Sequence, residues 1–314
     1  MTEQPAVTEQ TDAKDTMKVY AILLFSVTCY ASSFVFGAIL VQNFHPVALT
    51  FLRLVFINIF LLTVGWKHLR RHRVPLRLLI ILAVAGFIGI SLSHLSLHTG
   101  LQYTDPITAA LIYALGPLIT SLITYFYLKE RRRIYFWIGI FLGIIGVALV
   151  VSDGTRLALS AGKGEFLIGV TIFTFSIYLV IVEYLSKHLA PMTITLYTSL
   201  FALVLLIPFI RVEYMSMAFK VPTNYWLILI STAILTNGFV TILWNGAVKK
   251  VGAATSSLFL NMEPFAAMVL GYLILQQVVL PIQLLGSVFI ITGVILGTRY
   301  GKRKLVGDPL KLTG

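Results

Sequence analysis

The sequence predicts an all-α integral membrane protein: ten transmembrane helices, arranged as two inverted five-helix repeats around a central cavity. Three observations predict it. Of 314 residues 58% are apolar and 11% charged, with a mean hydropathy of +0.92, far from the roughly one-quarter charged content of soluble domains. Apolar runs of the length a bilayer core of about 30 Å demands recur from end to end. The second half of the chain also repeats the first.

In order, the expected spans are 20–41, 46–66, 78–97, 107–128, 134–151, 166–185, 193–210, 225–245, 253–274 and 282–298. The polar stretch before the first span reads as a disordered tail. It is not a signal peptide, because the apolar run that follows is too long and lacks a small-residue cleavage site. The domains expected are a tail at 1–17, five-helix units at 18–152 and 164–300, and a basic tail at 301–314.

The net charge of +12 is explained by position rather than by a nucleic-acid partner. Lys14 and Lys18, the group from Lys67 to Arg77, Lys129 with Arg131 to Arg133, Lys187, Lys249, Lys250 and five residues of the tail make nineteen on one side. Arg156, Lys163, Arg211 and Lys220 make four on the other. Basic loops stay cytoplasmic, so both termini are expected inside the cell, in a multi-pass protein of the plasma (inner) membrane. The lone Cys29 excludes an internal disulfide and a multi-cysteine metal cluster.

The repeat is read without gaps. "ITAALIYALGPLITSLITYFYLKERRRIYFWIGIFLGIIGVAL" aligns with "ATSSLFLNMEPFAAMVLGYLILQQVVLPIQLLGSVFIITGVIL" at an offset of 147, pairing Pro117 with Pro264, Gly139 with Gly286 and Gly146 with Gly293. At an offset of 145, Pro46 meets Pro191. Five helices per unit is odd, so two units in tandem enter the membrane from opposite sides, the arrangement of alternating-access transporters. The basic "KERRR" after the fourth span accordingly has an uncharged counterpart, "QQVVL", after the ninth.

Within the spans, ionisable groups are expensive and therefore informative. Arg53 lies about 10 Å inward from the outer end of the second span, and Glu263 about 15 Å from the inner end of the ninth, at about 1.5 Å per residue. Three readings stand: a structural ion pair, a solute-reading role in a wet cavity, or proton coupling through Glu263. Ser91, His94 and His98 form a polar stripe in the third span, and Asn237, Thr241 and Asn245 one in the eighth; at the offset of 147, His94 meets Thr241 and His98 meets Asn245. Either stripe serves a shared pathway or interhelical hydrogen bonds. His98 is expected at the outer interface, which makes His94 the second proton-coupling candidate. Tyr30, Phe34, Tyr113, Tyr178 and Trp244 either wall a cavity or pack. Pro117 and Pro264 bend matched helices, as gates or as static kinks. Glycines in the fifth and tenth spans suit close packing, as a peripheral scaffold or the face of a homodimer. The site residues expected for a solute are Arg53, Glu263, His94, Tyr30, Tyr113, Thr241, Trp244 and Asn245. No catalytic constellation, cofactor loop or metal-ligand set is read; the partners are a small organic solute and the bilayer.

These residues resemble the ten-helix, EamA-like branch of the drug/metabolite transporter superfamily over about residues 18 to 300. "ALGPLITSLITYFYLKERRRIYFWIGIFLGIIGVALV" is similar to the family's Pro, Leu-x-Glu, Gly and Gly-Val pattern, repeated around "MEPFAAMVLGYLILQQ"; "CYASSFV" and "HPVALTFLRLV" are similar to its first and second spans. The resemblance implies a basket of helices, with spans 1–4 and 6–9 around the cavity and 5 and 10 at the side. It also implies export or exchange of amino acids, other metabolites or drugs, so an amino-acid exporter and a multidrug exporter both stand, beside a membrane sensor without flux. Two departures matter. Gln277 replaces the second Leu-x-Glu acid, and the first span lacks the glutamate of the small four-helix relatives.

Overall fold

The computed structural model describes residues 6–71, 74–128, 133–151, 162–241, 243–244, 247 and 259–300. Helix α1 spans Ala6–Leu40, α2 Pro46–Arg71, α3 Leu76–Gly86, α4 Ser93–Gly100, α5 Pro106–Tyr113, α6 Gly116–Leu128 and α7 Ile134–Val151. They are followed by α8 Lys163–Ser186, α9 Pro191–Leu206, α10 Val212–Ala218 and α11 Thr223–Ile234, then α12 Glu263–Leu275 and α13 Pro281–Ile295. Helix α1 begins inside the stretch expected as a disordered tail, where Ala, Glu, Gln and Lys favour helix.

Among the described residues, eight helical stretches are long and apolar enough to cross a membrane, and they correspond to the expected spans one to seven and ten. The eighth and ninth expected spans run into residues 248–258 and Asn245, which lie outside the described residues. Large apolar side chains cover the outer surface, Phe141 at 64% and Leu273 at 61% exposure among them. Such a coat is stable against lipid and aggregates in water. The chain is a multi-pass membrane protein.

Helix starts follow proline. Pro46, Pro106, Pro191 and Pro281 each open a helix, where the missing N–H costs nothing. Asp105 caps α5 by accepting the Thr108 N–H at 2.9 Å.

The fourth span breaks at Ala114–Leu115, just before Pro117, and the described part of the ninth breaks at Asn261–Met262, just before Pro264. The two breaks share a bonding pattern at the offset of 147. Leu115 N donates to Ile112 O as Met262 N does to Phe259 O, and Ile119 N to Leu115 O as Ala266 N does to Met262 O. At the first break the Gly116 carbonyl accepts from Ser176 Oγ at 3.4 Å, tying α6 to α8. A second matched irregularity was not expected from the sequence: π-helical segments at Phe87–Leu92 and Leu235–Phe239 interrupt the third and eighth spans. Each lies just ahead of a polar candidate, His94 and Thr241 respectively.

Helices α7 and α13 share a close glycine seam. A Cβ on Gly146 would stand 2.7 Å from Gly286 O, and one on Gly286 would stand 2.7 Å from Gly146 O; Gly139 faces Gly293 in the same way. These glycines meet each other within one chain, so that stripe is already covered and does not serve as a face for a second copy.

Residues 211–224, between the seventh and eighth expected spans, hold α10, which meets the following helix at 107°. Tyr214 and Met215 pack on the main core while Val212, Met217 and Phe219 stay exposed, so the local pattern is that of an interfacial helix. The His45 ring stacks on Tyr214 at 3.6 Å and 8°, with the Arg211 guanidinium 5.9 Å from the Tyr214 ring. Nδ1 of His45 accepts from Val47 N at 3.4 Å, a bond that protonation removes. Burial, and then the Arg211 charge, hold this imidazole below its ordinary range. The neutral ring is favoured in the fold, so its contribution is complete above about pH 6.5 and is lost as pH falls through the lower folded-state value. Thermal unfolding followed from pH 7.5 down to pH 5 is expected to show a falling midpoint, and His45→Phe a flatter profile; equal slopes would contradict this account of the contact.

Candidate functional site

The contacts among the expected site residues form two sets. The first is built on α1, the end of α5, the segment after the second π-helix and the start of α12. Tyr30 and Trp244 meet edge to face at 6.0 Å, and the Tyr30 hydroxyl lies toward Thr241. Tyr113 sits at the last residue of α5, immediately before the break, and Glu263 at the first residue of α12, immediately after the matching one. Glu263 is close enough for its charge to act on both Tyr30 and Tyr113. Aromatic packing continues from Phe34 to Tyr113 at 5.4 Å, to Phe175 at 6.0 Å and to Tyr178 at 5.8 Å. One carboxyl among ring faces suits an organic body that carries positive charge.

The second group is built on α2 and α4. Arg53 is 3% exposed, and its Nε is buried without a hydrogen-bond partner. Its charge acts on His94 and His98, and no described carboxylate pairs with it. His98 is buried inside the protein, at 1% exposure, with Nδ1 2.8 Å from Thr50 Oγ1. Thr50 already donates to Pro46 O at 2.8 Å, so its oxygen accepts from the Nδ1–H of His98, which fixes the tautomer. Thr50 and Arg53 lie three apart on one face of α2, the signal that would have drawn His98 into the site.

The ion pair between Arg53 and Glu263 is not formed. Neither charge acts on the other. The polar stripes divide by role. Ser91 Oγ donates to Ala202 O at 2.7 Å, an interhelical bond of the structural kind, while Thr241 Oγ1 donates to Thr236 O at 3.3 Å in its own helix. Asn245 lies outside the described residues. Nearby, Asn58 Nδ2 ties α2 to α9 through Ser199 O at 3.1 Å.

Comparison with known proteins places these features in a family context. The sequence profile described as the EamA-like transporter family matches twice, at residues 17–152 and 162–299. The "Uncharacterized transporter YyaM" of Bacillus subtilis (strain 168) is 30% identical over 217 residues, covering 68% of this chain and 70% of the relative. The "Uncharacterized transporter YetK" of the same organism is 26% identical over 296 residues, covering 90% and 87%. A "Probable terminal-alkyne amino-acid exporter" of Streptantibioticus cattleyicolor is 25% identical over 303 residues, covering 93% and 97%. A solved crystal structure aligns with a TM-score of 0.58 at 18% identity, covering 88% of this chain and 96% of the other, a likeness of fold.

Proposed function

The chain belongs to the EamA-like transporter family, and from that premise we propose that it exports a small organic metabolite, an amino acid or related solute, by alternating access. The observation that carries the reading is Arg53, a buried cation with an unpartnered Nε, which calls for an anion from outside the chain. The solute's carboxylate meets Arg53, and its remaining body is enclosed by Tyr30, Tyr113 and Trp244, with hydrogen bonds from His94, Thr241 and Asn245. The amino-acid exporter among the relatives supports that class of cargo.

Ten spans in two inverted repeats, with both termini in the cytoplasm and the protein in the inner membrane, complete the proposal. Helix pairing supports the repeat: exchanging the halves turns the contact of α1 with α12 into that of α6 with α8, and the contact of α3 with α9 into that of α11 with α2. The matched breaks beside Tyr113 and Glu263 are where the helices flex between the two access states. Glu263 and His94 carry the coupling proton. The aromatic chain from Phe34 to Tyr178 favours a second reading, export of amphiphilic drugs.

Liposomes holding the purified protein, loaded with labelled amino acids or with a cationic dye and assayed with and without a pH gradient, separate these readings. Flux of neither class under any gradient would remove the proposal. Glu263→Gln is expected to abolish pH-driven flux while leaving exchange of solute for solute. Unchanged pH-driven flux in that variant would take Glu263 out of the coupling role.

A further inference from the structure

His98 is held by a bond that decides what the rest of its ring can do. Thr50 Oγ1 gives its own proton to Pro46 O and accepts from the Nδ1–H of His98. In the neutral ring Nε2 is thereby left with a lone pair and no proton, an acceptor only. Arg53 follows Thr50 by one turn on the same face of α2, and its charge acts on this ring. His94, one turn from His98 on α4, meets it edge to face at 6.1 Å.

What can reach these nitrogens sets them apart from the structural polar groups. Arg53 Nε is a buried atom closed off on all sides, as are Asn58 Oδ1 and Ser199 Oγ. The two Nη atoms of Arg53 and Nε2 of His98 also have no hydrogen-bond partner among the described residues, yet none of them is closed off. The small exposure left to these two side chains, 3% and 1%, therefore includes the nitrogens that lack a partner. Arg53 does not bond the ring, so both stay open to a third group. Two Nη atoms make a fork that fits a carboxylate, and next to them stands a lone pair that no carboxylate oxygen can use.

We propose that His98 reads the atom beside the solute's carboxylate: with the carboxylate on the Nη atoms of Arg53, His98 Nε2 accepts a hydrogen bond from an ammonium or hydroxyl on the adjacent carbon. The inference rests on the export reading above and narrows its cargo to α-amino and α-hydroxy acids. A plain carboxylate leaves Nε2 unpaired in a buried place, and a second anionic oxygen would face a lone pair. A site built to pair a donor of the solute discriminates strongly against the analogue that lacks it. Thr50 touches no solute and acts through His98, by holding the ring proton on Nδ1.

Saturation-transfer NMR on the full chain in phosphatidylcholine nanodiscs tests it with three probes that share one carboxylate and one isobutyl body: leucine, leucate, which has a hydroxyl in place of the ammonium, and isocaproate, which has neither. The wild type is expected to bind the first two saturably and isocaproate about tenfold or more weakly. His98→Asn keeps a donor for Thr50 and removes Nε2, and is expected to bring the three probes within about threefold of one another. His98→Gln, whose amide oxygen reaches the place of Nε2, is expected to keep most of the preference. Thr50→Val frees the ring to carry its proton on Nε2; it is expected to reduce the preference several-fold, and decides the matter should His98→Asn fail to fold. An unchanged preference in His98→Asn or Thr50→Val, or an equal loss in His98→Asn and His98→Gln, would overturn the role of His98 and leave the export reading standing. Absence of saturable binding by all three probes would overturn this inference, while counterflow of other amino acids decides the export reading. The expected preference without any flux would count against the transport reading alone.

Discussion

Arg53→Gln is expected to lower flux of carboxylate-bearing solutes by about 30-fold or more while leaving the protein as stable as the wild type, or more so. Removing one partner of a buried, hydrogen-bonded charge pair costs about 2–5 kcal/mol, and every 1.4 kcal/mol is about tenfold. In the proposed function the pair is between Arg53 and the solute, so the loss is expected to fall on transport. Stability does not suffer because no internal carboxylate is stranded, and an unpaired buried guanidinium is itself a burden on the fold. Arg53→Lys is expected to recover only part of the flux, since an ammonium lacks the planar fork that grips a carboxylate. Flux and thermal unfolding measured on the same preparations check both halves. A variant that unfolds early, and is rescued by Glu263→Gln, would instead point to an internal ion pair.

Gly146→Leu is expected to have the largest effect on stability. Its Cβ alone would meet Gly286 O at 2.7 Å and Ile290 N at 2.9 Å, which are backbone atoms that cannot rotate away. Overpacking usually costs about 1–3 kcal/mol, and a seam that must part along both helices lies at or above the top of that range. Gly169→Ala is the matched control: nothing lies within 4 Å of its Cβ, and gaining a better helix former leaves stability equal or slightly raised. Thermal unfolding of the two variants in one lipid mixture checks the contrast, and equal midpoints would contradict the seam.

Much of the fold was legible because membrane solvent leaves a strong trace in sequence. The spans follow from hydropathy, and the paired breaks from Pro117 and Pro264 at one offset, since proline disrupts a helix by local covalent geometry. The π-segments at Phe87–Leu92 and Leu235–Phe239 left no comparable mark. Depth alone does not decide which residues meet. Counting residues along a helix gives height in the bilayer and not position around the bundle, so Arg53 and Glu263 looked like neighbours and proved to belong to different groups. The same count gives no sign of the contact by which Thr50 on α2 closes over His98. The helix α10 was hidden because its apolar pattern spans fewer than two turns.

The measurement that reaches the central claim most directly is solute counterflow. Liposomes containing the protein and a high concentration of an unlabelled amino-acid mixture are diluted into a trace of one labelled member, and internal label is followed. Alternating access predicts a transient accumulation of label above equilibrium for the solutes that Arg53 accepts, absent in Arg53→Gln. A monotonic rise to equilibrium for every amino acid and for the cationic dye, or an overshoot that Arg53→Gln leaves intact, would contradict the account.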